Sequence, residues 1–173
     1  TLIRTLGSDV EELARLVPDL RSGVQLAPPT AAEGDDPRFR MYDAVASFLR
    51  RVCAREPSVV VLDDLHVGDV GSVRLLRFVL TETVGDHLAI VATTRDPYTE
   101  PVGDELRRAL VEVQRVTPHI RLTGLARGEV VELLTQIVVP EVATRLAPAI
   151  HQRSGGNPFF VGELGRLLAA EPR

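Results

Sequence analysis

Residues 59–69 read Val-Val-Val-Leu-Asp-Asp-Leu-His-Val-Gly-Asp, an apolar run that ends on two adjacent carboxylates, Asp63 and Asp64. Such a pair either terminates the strand and leads into the next helix, or faces a positive charge that the chain does not itself carry. A hard cation such as Mg²⁺ suits the second reading. It prefers oxygen ligands and usually takes only one or two carboxylates, the rest being water and phosphate oxygens. The neighbouring acid could then orient or deprotonate an attacking water. Asp63, Asp64, His66 and Asp69 together would also suit a dinuclear metal hydrolase. His87, His119 and His151 are scattered singly, however, so His66 reads as a hydrogen-bonding support residue and not as a ligand.

A second apolar run, His-Leu-Ala-Ile-Val-Ala-Thr-Thr at 87–94, leads into Arg95 and Asp96. An arginine beside the acids could contact a terminal phosphate by charge-assisted hydrogen bonds; taken alone, it reads as a solvated loop residue. Ser154-Gly155-Gly156-Asn157-Pro158 has the composition of a helix stop followed by a helix start, with proline in the first turn.

These residues need elements to hold them. Ser8 and Glu11 stand at capping-box spacing ahead of a helix over 8–17. Pro18, Pro28, Pro29 and the 33–37 run mark an irregular link. An amphipathic helix is expected over 38–55, with Phe39, Tyr42, Val45, Phe48, Leu49 and Val52 on one face; Pro57 stops it. The continuous run at 58–62 predicts a strand covered on both faces. A helix over 70–84 follows, with Asp69 as cap and Val73, Leu76, Val79 and Leu80 inward. The strand at 87–94 precedes a helix over 104–116, and His119–Leu125 predicts a third strand. Beyond Ala126 the pattern is helical only, over 127–138, 141–153 and 159–169.

Alternating strands and helices imply an α/β fold with a parallel sheet, and ligands in such sheets sit beyond the carboxyl ends of the strands. Asp63 and Asp64 are expected at that end of the first strand, and Thr93, Thr94, Arg95 and Asp96 at the same end of the second. Three strands are few for such a sheet.

Composition narrows the chemistry. The net charge of −4 over 173 residues argues against a nucleic-acid surface. The absence of long apolar runs predicts no membrane span, and the lone Cys53 suits a reducing, cytoplasmic setting as a small core residue. All 20 basic residues are arginine. With no lysine, neither a Schiff base nor the phosphate-gripping lysine of a P-loop can come from this chain. The same absence disfavours a phosphoacceptor receiver domain, whose paired acids require a lysine at a later strand end.

At residues 59–69 the sequence resembles the Walker B segment of STAND-type P-loop ATPases, the AAA-like module of large LuxR-type transcription regulators and some adenylate cyclases. Arg38–Arg51 resembles the helix before Walker B, and Ile90–Asp96 the sensor-1 strand. Arg121–Leu134 is similar to the start of the helical lid, and Ser154–Leu168 to the lid's Gly-x-Pro motif and following helix. The resemblance covers nearly the whole chain. It implies a partial doubly wound parallel sheet over 1–125 and a small all-helical lid over 126–173.

It further implies that Asp63 holds Mg²⁺, that Asp64 polarises the hydrolytic water and that Arg95 senses the γ-phosphate of ATP. Thr94, Gly156 and Pro158 would contact the nucleotide, ATP or ADP, with Gly156 and Pro158 bordering the adenine. Val67-Gly68 stands where the family usually has Trp-Ala, and the family's Gly-x-x-x-x-Gly-Lys-[Ser/Thr] loop is missing. The expectation is therefore a C-terminal part of a cytoplasmic ATP-driven signalling switch, inactive by itself. Its P-loop would lie in preceding polypeptide, and its partners would be nucleotide, the other domains of the parent and, in addition, a second copy of itself. A non-catalytic interaction module that keeps the fold, or the ATPase module of an adenylate cyclase, is the alternative.

Overall fold

The computed structural model describes residues 9–17, 36–99 and 101–170. Ser8 and the link over 18–35 lie outside the described residues. The chain divides into two compact units, Thr1–His119 and Ile120–Arg173.

The first unit holds α1 (Val10–Leu16), α2 (Pro37–Cys53), β1 (Ser58–Leu62), a 3₁₀ turn (Leu65–Val67), α3 (Val70–Glu82), β2 (Leu88–Ala92) and α4 (Asp104–Val116). Helix α2 starts where local chemistry dictates: Asp36 accepts the Arg38 N–H at 3.0 Å and Pro37 takes the first position. Its closest packing is made by small residues, since Ala44, Ala46 and Cys53 are buried. Val45 and Phe48 flank Leu13 and Ala44 in the contact with α1, which Arg51 and Asp9 reinforce at 2.7 Å. Phe39, expected on the buried face, is exposed and instead meets Phe78 of α3 edge-on at 5.7 Å.

Strands β1 and β2 pair in parallel, Ser58 with Leu88 through Leu62 with Ala92. Side chains alternate across a strand, so Leu62 and Ile90 share one face. They pack there against Val73 and Leu76 of α3 and Ala109, Leu110 and Val113 of α4. The other face departs from expectation: Val59, Val61 and Val91 are 66%, 68% and 53% exposed. The apolar run therefore has the composition of a doubly covered strand, but among the described residues only one face is covered. The third expected strand is also corrected. Residues 119–125 carry a period-two pattern, yet they pair with no strand among the described residues, and Ile120 and Leu122 are 88% and 89% exposed. Alternation prepares a strand, but a ladder needs a neighbour to accept it.

The second unit contains α5 (Arg127–Thr135), α6 (Pro140–Ser154) and α7 (Pro158–Ala170). Val130, Leu134, Ala143, Ala147, Ile150 and Val161 form its core. Gly155 ends α6 in the left-handed conformation, φ 60° and ψ 22°, as helices commonly end on glycine. The architecture is thus mostly helical, with a small parallel sheet. No helix among the described residues is long and apolar enough to cross a membrane.

Candidate functional site

At the carboxyl end of the sheet the chain leaves β1 through Asp63 and Asp64 and leaves β2 through Thr93, Thr94 and Arg95. The register carries over the strand ends. Leu62 faces Ala92, so the next pair outward is Asp63 and Thr93. Thr93 uses its backbone and side chain on this crossing. Its N–H donates to the Leu62 carbonyl at 2.9 Å, and its own carbonyl accepts the Leu65 N–H at 2.9 Å. Its hydroxyl accepts the Asp64 N–H at 2.9 Å and donates to the Asp63 carboxylate.

Asp64 takes the left-handed conformation, φ 56° and ψ 50°, and is the only non-glycine residue with positive φ among those described. Few side chains visit that region without cost, and aspartate is among the better tolerated. This residue turns the chain from β1 into the 3₁₀ turn, and its carboxylate is left 64% exposed. His66, in that turn, is buried; its Nδ1 lies 3.4 Å from the Arg95 N–H, which donates to it, and 3.7 Å from the Asp64 carboxylate.

Asp69 acts as predicted, capping α3 with one oxygen on the Ser72 N–H at 3.0 Å and the other on the Ser72 hydroxyl at 2.6 Å. Those two bonds, the side-chain one first, hold its carboxyl below the ordinary 3.8. Asp69 is therefore committed to the helix start.

Asp63 and Asp64 border an open concavity of about 540 Å³, lined also by Val61, Leu62, Leu65 and Val67. No group of three or more His, Cys, Asp or Glu side chains able to hold a metal occurs among the described residues. The donor set present, one or two carboxylates at an open strand end, fits Mg²⁺, which needs few protein ligands when water and phosphate complete its shell.

The predicted residues do not all come together. Asp63, Asp64 and the root of Arg95 meet at one strand end. Thr94 does not join the acids, because its hydroxyl donates to the Arg95 carbonyl at 3.1 Å. Gly156 and Pro158 belong to the second unit. Gly156 is buried against Leu125, whose N–H donates to the Gly156 carbonyl at 2.8 Å, and Pro158 is exposed at the start of α7. Thr93, expected at this end but given no role from sequence, is the residue that contacts both acids. Both threonines sit at the expected strand end, and only the register distinguishes them; a slip of one residue would exchange their roles.

A scan against protein-family models gives no match, and a search of the curated proteins and of the solved structures gives none either.

Proposed function

We propose that this chain supplies the Mg²⁺-facing wall of an ATP-binding and ATP-hydrolysing site in a STAND-type signalling switch, of the kind found in LuxR-type regulators. The observation that carries the reading is the Thr93 hydroxyl at the end of β2, which binds both the Asp63 carboxylate and the Asp64 N–H at the end of β1. In this reading Asp63 would hold Mg²⁺, which when bound neutralises charge on the phosphates. Asp64, mostly exposed beside it, accepts the proton of an attacking water or orients that water. Arg95 contacts the terminal phosphate.

The phosphate-gripping lysine must come from outside these residues, because the chain has none. The test begins with the DNA immediately upstream of Thr1. An in-frame Gly-x-x-x-x-Gly-Lys-[Ser/Thr] is expected, together with Mg²⁺-dependent ATP hydrolysis by the encoded polypeptide. Asp64→Asn should abolish that hydrolysis while ATP binding persists. An upstream frame without the loop, and no hydrolysis, overturns the proposal. That outcome favours the second reading, a non-catalytic interaction module with the same fold, for which the absence of lysine is the specific observation.

A further inference from the structure

His66 and Thr83 are the two buried polar residues among those described. They are satisfied in different ways. Thr83 turns its hydroxyl back on its own helix, donating to the Val79 carbonyl at 2.8 Å. His66 reaches across the sheet end to a residue distant in sequence, accepting the Arg95 N–H on Nδ1 at 3.4 Å. The ring is 7% exposed, whereas the carboxylate of Asp64 beside it is 64% exposed. A buried imidazole thus holds the backbone root of one exposed charged residue and stands next to another.

We propose that His66 is a positioning residue: its Nδ1 lone pair fixes the backbone of Arg95 beside Asp64, so that the arginine leaves the strand end from a set point. Two ties then cross between the strand exits. The Thr93 hydroxyl fixes the acids, and the His66 ring fixes the base of the arginine. Long side chains such as arginine lose considerable rotamer freedom when ordered. Anchoring the amide fixes the backbone from which the side chain departs, not its rotamers, and a misplacement of about 1 Å is enough to impair a site. The geometry also selects one tautomer. A nitrogen that accepts a hydrogen bond carries no proton, so the neutral ring bears its hydrogen on Nε2. A hydrogen on Nδ1 would instead break the bond to Arg95 and turn that nitrogen toward Asp64. The geometric claim stands on the hydrogen bond alone; its consequence for phosphate contact rests on the proposed nucleotide reading.

Hydrogen exchange and imidazole ¹⁵N shifts of the 173-residue chain test it. In the wild type, the His66 Nδ1 resonance should be of the unprotonated type; a protonated Nδ1 overturns the proposal. His66→Leu should speed exchange of the Arg95 amide by about threefold to tenfold, the range expected for one net hydrogen bond. The Thr93 and Leu65 amides should be unchanged. His66→Asn, whose side-chain oxygen can take the place of Nδ1, should restore Arg95 protection. Equal Arg95 exchange in wild type and His66→Leu, or equal loss in both variants, shows a ring that only fills space and overturns the proposal. If His66→Leu fails to fold, the His66→Asn result and the wild-type tautomer decide it. Titration with Mn²⁺ alone, compared with Asp63→Asn, tests the nucleotide reading separately. Line broadening centred on Asp63 and Thr93 in the wild type only is expected. Its absence counts against the cation site, and the Arg95 exchange result stands regardless.

Discussion

The hydroxyl of Thr93 donates to the carboxylate of Asp63 across the gap between two parallel strands. It simultaneously accepts the N–H of Asp64 at 2.9 Å. One small side chain therefore fixes both the acid proposed to face the cation and the backbone of the acid proposed to act on water. Thr93→Val removes both bonds at nearly constant volume, and should cost about 1 kcal/mol of stability, toward the low end of such losses because the site is exposed. Thr93→Ser keeps the hydroxyl and should stay within about 0.5 kcal/mol of wild type. Urea denaturation of the two variants separates these outcomes; equal midpoints would show that the clamp contributes nothing.

Asp64 couples a backbone requirement to a proposed chemical one. Its φ of 56° suits asparagine as well as aspartate. Asp64→Asn should therefore hold stability within about 0.5 kcal/mol while removing the acid. Asp64→Val, β-branched in a left-handed position, should lose about 1–2 kcal/mol. If both variants fall equally in denaturant melts, the carboxylate itself, not the backbone, is what the turn requires.

Much of this arrangement is legible in the sequence. The alternation of apolar runs with helical periodicity places β1, α3, β2 and α4 within a few residues, and Asp69 identifies itself as a cap. What sequence pattern does not carry is the choice of neighbours. Val59 and Val61 have the composition of buried strand residues, yet their exposure depends on what lies across the sheet. Ile120 and Leu122 alternate as a strand does, but pairing is a property of two segments. Thr93 could not be told from Thr94 because strand register is decided between β1 and β2, not within either. His66 was legible as a support residue, although its partner, an amide 29 residues later, was not.

Asp69 gives a pH dependence with a definite sign. Its folded carboxyl titrates below the ordinary value of 3.8 because of the two bonds from Ser72. Folding thus favours the ionised form. The cap's contribution is complete above that ordinary value and is lost as pH falls through the lower, folded one. Asp69→Asn retains a capping acceptor but cannot titrate. The stability difference between wild type and Asp69→Asn should be constant above about pH 5 and shift against the wild type in stronger acid. Denaturation curves across that interval check this, and a difference independent of pH would contradict it.

Gly155 and Gly156 are adjacent and both have positive φ, 60° and 77°, but they answer differently to an added methyl group. At Gly155 a Cβ would meet nothing within 4 Å. Gly155→Ala should therefore pay only the left-handed penalty, about 1 kcal/mol. At Gly156 a Cβ would strike the Leu125 carbonyl oxygen and lie 2.7 Å from the Leu125 nitrogen. Both are backbone atoms and cannot swing aside, so the turn itself must shift and strain the hydrogen bond from Leu125 to the Gly156 carbonyl. Gly156→Ala should cost about 3 kcal/mol or more, combining strain with overpacking. Thermal melts of the two alanine variants measure the gap; similar values would mean that the turn does not press on Leu125. The same contact decides how a nucleotide assay must be built. Loss of binding in a Gly156 variant would report disruption of the helical unit, whereas exposed Pro158 can be changed to alanine at little cost to folding. Base contact is therefore to be tested at Pro158, with an unshifted melt as the control.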